Sequence, residues 1–168
     1  IILTLCWGLL TSFKNQYAFM LNQNWLGLPT LSESNPANSR EQVFKLLFRV
    51  EFNAPEEMPE QVRLFTEDNE EVIYQKDAEY IEGRFLKIQE KLPEIDQLLN
   101  THTEGWDTAR IGKVELAVLR LAVYEVVFDE DIPASVAINE AVEIAKKYGQ
   151  ENSGGFVNAV LGKIAKQG

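Results

Sequence analysis

The side chains able to carry reaction chemistry are few in this sequence. It holds one histidine, His102, and one cysteine, Cys6. Those two cannot build a Cys/His zinc cluster. The cysteine also sits in an N-terminal stretch unlike the rest, so a Cys–His dyad is not expected. His102 stands between two threonines with Glu104 beyond, which reads as a surface position rather than a general base. No G-x-x-x-x-G-K-[ST] or G-x-G-x-x-G loop occurs, and the acids do not fall at calcium-loop spacing. Ser153-Gly154-Gly155 opens a helical pattern, where backbone N–H groups could meet one phosphate; a flexible N-terminal turn is the alternative. Glu115, Arg120 and Glu125 interrupt an apolar stretch. Buried charges are costly unless paired, so these are expected to pair with neighbours or surface at an edge; a catalytic carboxylate pair is the alternative. The balance points to a binding protein rather than an enzyme, with no cofactor and no metal.

These groups have to be carried by a scaffold of limited size. The chain has 168 residues, and one domain takes roughly 100–200. Hydrophobic residues are 45% and charged residues 25%, proportions that build a packed core and exclude wholesale disorder. Lys and Arg number 16 against 26 Asp and Glu, a formal net charge of −10. The average field therefore repels phosphate, and any nucleic acid contact needs a local basic patch or a partner. Residues 51–82 hold eleven acids against Arg63 and Lys76. They read as a solvated face, with protein docking as the alternative. A lone cysteine permits no intramolecular disulfide and fits a reducing compartment, so a cytoplasmic location is expected.

Residues 1–38 do not match the remainder: Lys14 and Glu33 are their only charges. Ile1–Leu10 is apolar but shorter than the ~20 residues of a membrane span, and no basic region precedes it as in a signal peptide. Ser32–Ser39 is polar and turn-rich. This stretch is expected to be a poorly ordered leader outside the domain. A membrane-surface helix is the alternative, but Trp7, Phe13, Tyr17, Phe19 and Trp25 have no basic face beside them.

From residue 39 onward the pattern is all helical. Ser39-Arg40-Glu41-Gln42 has the form of a capping box, and Val43, Leu46, Leu47 and Val50 follow as one stripe. Helical spacing resumes over 59–67 and 74–91, where Ala78, Ile81, Phe85 and Ile88 share a face. Pro93 permits a new first turn, opening a short helix with Ile95, Leu98 and Leu99 that Gly105 ends. Residues 110–128 are apolar nearly all round, which places that helix at the centre of a bundle. Residues 133–148 form a helix with Ala134, Ala137, Ile138, Ala141, Val142 and Ala145 inward and Gly149 as a left-handed cap. Ser153 caps the last helix, with Val157, Val160, Leu161 and Ile164 inward. The count is about seven helices.

The last three helices carry a resemblance. Gly112-Lys113-Val114-Glu115-Leu116-Ala117-Val118-Leu119-Arg120-Leu121-Ala122-Val123-Tyr124-Glu125 resembles the central helix of the NusB family of transcription antitermination factors. Asp131-Ile132-Pro133 with Val136–Gly149 is similar to its next helix. Ser153 with Phe156-Val157-Asn158-Ala159-Val160-Leu161 completes the pattern. The resemblance covers about residues 39–166 and implies an all-α fold of two small packed helical subdomains. It also implies binding to the single-stranded boxA element of ribosomal RNA leaders, jointly with NusE, a ribosomal small-subunit protein. The pair then acts in the RNA polymerase antitermination complex, with no membrane contact. A homodimer is the alternative to a monomer.

The implied sites carry over unevenly. The family's Arg-rich segment matches Asn35–Arg40, where only Arg40 is basic, with Lys45 one turn on. The RNA-facing loop before the last helix matches Glu151–Phe156. Asn152 stands there where many members carry an acid, and Phe156 is either a base-stacking ring or a core anchor. Lys113 is assigned to RNA, and Phe48 and Glu115 to the partner. Two alternatives stand beside this reading: the RNA-recruiting NusB-like domain of a ribosomal RNA cytosine methyltransferase, which would continue past residue 168, and a protein-only helical adaptor.

Overall fold

Sequence periodicity becomes six α-helices among the described residues. The computed structural model describes residues 36–69, 75–103 and 107–166. In chain order the elements are α1 (Pro36–Arg49), a short 3₁₀ turn (Pro55–Glu57), α2 (Met58–Asp68), α3 (Gln75–His102), α4 (Lys113–Val127), α5 (Ala134–Tyr148) and α6 (Ser153–Ala165). No strand occurs among them, so the fold is all-α as expected. Helices α1–α3 contact one another pairwise and so do α4–α6; α1 and α3 against α4, and α3 against α6, join the two groups. Most of the expected leader, with Cys6 and its aromatics, lies outside the described residues, as does Gly105.

Burial follows the apolar stripes. Val43, Leu46 and Leu47 of α1, Ile81, Phe85 and Ile88 of α3, and Val157, Val160, Leu161 and Ile164 of α6 are all buried. Helix α4 is covered on every side from Leu116 through Glu125. Four of the other five helices pack on it directly, so it is the bundle's axis, as its composition requires.

Three local expectations are corrected. Ser39 is no cap, because α1 already begins at Pro36, a residue suited to a first turn. Ser39 is buried instead, and Gln42, fully enclosed, bonds Asn38 at 3.2 Å and accepts from Asn69 Nδ2 at 2.9 Å. Gln42 thus ties α1 to the end of α2. Gly149 is extended (φ −93°), not left-handed. Glycine is required there because a Cβ would collide with Ser153 and with the Ala145 carbonyl. Finally, Pro93 starts no new helix: α3 runs 28 residues straight through it, which brings the count from seven to six. Pro93 lies on the solvent side, while Ile88, Ile95 and Leu99 around it are fully buried. Their burial, ~1.5–3 kcal/mol each, outweighs the ~3 kcal/mol of an interior proline.

Helix ends are set by side chains. Asn53 Nδ2 donates to the Arg49 carbonyl at 2.8 Å and stops α1. His102 Nδ1–H donates to the Leu98 carbonyl at 2.7 Å, so the one histidine closes α3.

The continuity of α3 is testable. Replacing Pro93 by alanine restores a backbone donor and removes the ring clash, at the expense of a less restricted unfolded chain. Pro93→Ala is expected to stabilise the protein by about 1–3 kcal/mol, read as a higher urea midpoint at unchanged slope. An unchanged or lowered midpoint would contradict a helix that runs through this position.

Candidate nucleic-acid and partner interface

Each charge on α4 is satisfied by a residue from outside that helix. Arg120 makes a two-bond fork onto Asp96 of α3 at 2.9 and 2.8 Å and reaches Glu51, just past α1, at 2.5 Å. Glu51 also takes Lys113. Burial works to raise the Glu51 carboxyl, but hydrogen bonds from Lys113 and Arg120 outweigh it and hold it below its ordinary value. Glu125 is bound by Arg40 Nε at 2.9 and 3.1 Å. Here burial wins, and the Glu125 carboxyl is pushed above its ordinary value despite Arg40. Glu115 accepts the Ser153 hydroxyl of α6. Among the described residues no buried side-chain nitrogen or oxygen lacks a partner, and Arg120, Glu125 and Glu115 each pair with a neighbouring element, as expected of charges on this helix.

The cleft lies at the N-terminal ends of α4 and α6. Ile111, Gly112 and Glu115 form one wall and Gln150, Asn152, Ser153 and Phe156 the other, around a volume of about 390 Å³. Ser153 is not the cap; Asn152 holds that position and makes no side-chain capping bond. Ser153 is buried in the first turn, where its Oγ accepts from the Gln150 N–H at 2.7 Å and donates to Glu115. Phe156 packs half-buried against the core and still lines the cleft. Asn152 is exposed at the rim.

A second surface runs along α1. Tyr148, Phe44, Phe48 and Phe52 stand ring to ring at 5.1, 6.5 and 5.0 Å, and Phe52 is 64% exposed. Glu41, at one end, takes Lys147 at 2.8 Å, Lys45 at 3.6 Å and the Tyr148 hydroxyl. Burial again works to raise its carboxyl, and these donors hold it below the ordinary value. Glu51 with Lys113 marks the other end. Asn152, Phe156 and Glu115 therefore meet at one opening, with Lys113 two residues from Glu115. Lys45 and Phe48 lie on the adjoining aromatic row. Arg40 stands apart: its guanidinium faces inward to Glu125 and, at 3.5 Å, Glu140, with the side chain only 12% exposed.

Phe52 and Tyr148 were not among the residues singled out from the sequence. The i, i+4 repeat Phe44-Phe48-Phe52 was a usable signal for the first; Tyr148 needs the α1–α5 packing. No cluster of three His, Cys, Asp or Glu able to hold a metal exists among the described residues, and none of their helices is long and apolar enough to cross a membrane.

Fold and cleft together define an all-helical binding protein built around a buried central helix. The NusB family model, described as "NusB family", matches residues 37–166. A transcription antitermination protein NusB of Lachnoclostridium phytofermentans is 50% identical over 125 residues, covering 74% of this chain and 94% of that protein. The one from Agathobacter rectalis is 51% identical over 128 residues, covering 75% and 95%. Among solved structures, T. maritima NusB superposes with a TM-score of 0.71 at 41% identity, covering 80% of this chain and 94% of that one. A structure of antitermination factors NusB and NusE in complex with double-stranded RNA matches with a TM-score of 0.67 at 27% identity, covering 79% and 96%. The chain belongs to the NusB family, whose members are antitermination factors and not enzymes.

The Arg40–Glu125 pair sets a pH-dependent prediction. Arg40→Met leaves a buried carboxylate without its counter-charge, an expected loss of about 3–5 kcal/mol at pH 7. A raised folded-state pKa withdraws stability as pH rises through it, so the deficit must shrink on acidification, as Glu125 protonates. Arg40→Met/Glu125→Gln should recover much of the loss and remove that pH dependence. Urea titrations of both variants from pH 4.5 to 8 check this; parallel profiles would contradict the pairing.

Proposed function

We propose that this protein is an RNA-binding adaptor of transcription antitermination, holding single-stranded boxA-type RNA together with NusE in the RNA polymerase antitermination complex of the cytoplasm. One observation carries the reading: a single cleft gathers Asn152, Phe156 and Glu115, with Lys113 beside it and the Phe48–Phe52 row adjoining. The solved relative bound to NusE and RNA supports the same class of ligands.

The chemistry suits a small grip on a transcript. At net charge −10 the body repels RNA, so contact is confined to a few groups. Lys113 is 47% exposed and can exchange part of its bond to Glu51 for a phosphate. Lys45, 28% exposed beside Glu41, is the second candidate. Phe156 offers a ring face to a base, a contact available only when the base is unstacked. Asn152 brings an uncharged amide to the rim, where an acid would repel phosphate. Arg40 contributes by fixing α1 against α4 rather than by free charge. Phe48, with the exposed Phe52, supplies the apolar face for NusE, and Glu115 the polar one.

The relative's complex holds double-stranded RNA, so the test needs a duplex arm. Anisotropy titrations would use labelled boxA-type RNA, a scrambled strand and a duplex, each with and without NusE. The boxA-type strand is expected to bind at least about tenfold tighter than the scrambled one when NusE is present. Lys113→Ala should lower the salt slope by about 0.7, and Phe156→Leu, which keeps the packing, should lose about 1–3 kcal/mol. Equal affinity for boxA-type and scrambled strands in the presence of NusE overturns the reading.

A further inference from the structure

Glu115 is held on one side and given room on the other. Its Oε1 accepts the Ser153 hydroxyl, and Ser153 in turn anchors the Gln150 N–H at 2.7 Å. On the other side its Oε2 lies against Gly112, where any Cβ would collide with the carboxylate. Ser153 is itself 4% exposed and is held against Gly149, whose missing Cβ leaves it room. One carboxylate on α4 is therefore locked to the loop that leads into α6. Two residues earlier, Lys113 is bound to Glu51 at the end of α1, next to Phe52. The first turn of α4 is thus fastened to the cleft loop by one side chain and to the aromatic row by another.

We propose that Ser153 is a positioning residue: it sets the Glu115 carboxylate and so couples RNA occupancy of the cleft loop to partner binding. This rests on the reading above, in which Asn152 and Phe156 face RNA and Glu115 faces NusE. RNA seated on residues 152–156 holds the turn that carries Ser153 in the arrangement the structure shows. That turn keeps Glu115 on the Ser153 hydroxyl, so RNA and partner favour the same orientation of the carboxylate. By reciprocity the partner raises RNA affinity by the same factor.

The experiment is a thermodynamic cycle on the full chain. Affinity for boxA-type RNA is measured without NusE and with saturating NusE, in the parent protein, Ser153→Ala, Gly112→Ala and Ser153→Thr. In the parent, NusE is expected to tighten RNA binding about tenfold or more. Ser153→Ala should cut the enhancement by NusE, taken relative to that variant's own RNA affinity without NusE, to about threefold or less. Gly112→Ala, whose Cβ displaces the carboxylate from the opposite side without touching Ser153, should likewise cut the enhancement relative to its own RNA affinity without NusE. Ser153→Thr keeps the hydroxyl and should restore at least half of the enhancement. As a readout independent of any variant, the Glu115 carboxylate carbon resonance of the parent should shift when RNA alone is added. A parent showing no enhancement by NusE refutes the functional reading. Enhancement that survives in Ser153→Ala and Gly112→Ala, or a Glu115 resonance indifferent to RNA, refutes the coupling alone.

Discussion

The burial of α4 is the constraint from which the rest follows. Ten consecutive residues, Leu116–Glu125, lie out of water, and Arg120 and Glu125 are among them. An ion so placed must be paired and hydrogen-bonded or the fold does not form. The pairing is distributed: Arg120 draws in Asp96 from α3 and Glu51 beyond α1, Glu125 draws in Arg40 from α1, and Glu115 draws in Ser153 from α6. Apolar packing alone would allow helices to slide by a turn at modest expense. Three polar contacts at positions five residues apart do not allow it. They fix α1, α3 and α6 along the axis of α4, and with them the cleft.

That division of labour explains why the basic groups behave so differently. Arg40 and Arg120, at 12% and 9% side-chain exposure, neutralise buried acids and serve the fold. Lys113 touches an acid from the solvent side and remains accessible. Guanidinium groups suit the first role, since their fixed fork satisfies a carboxylate with two bonds and cannot be deprotonated. A lysine suits the second, as a flexible point charge that exchanges partners readily.

Much of the fold was legible in the residues. The stripes of α1, α3 and α6 predicted which side chains are buried, because helical periodicity reports burial directly. The uninterrupted apolar run of residues 110–128 predicted the central helix for the same reason. Helix boundaries were read less well. Pro93 looked like a start, since local preference weighs the missing donor and not the distant core that holds Ile95 and Leu99. Ser39 and Ser153 looked like caps, since a serine near a helix start usually is one; both are buried instead, and Ser153 bonds across to Glu115.

The site divided along the same line. Sequence alone determined the candidates: Lys113, Glu115, Asn152, Phe156 and Phe48 as residues at positions matching a known family. Tertiary structure alone decided the arrangement. It turned Arg40 inward, set Tyr148 at the end of the aromatic row, and joined Ser153 to Glu115 across 38 positions of sequence. The physical reason is that periodicity encodes which face of a helix meets the core. Which charge answers which is settled only when desolvation forces each buried ion onto the partner that packing brings within reach.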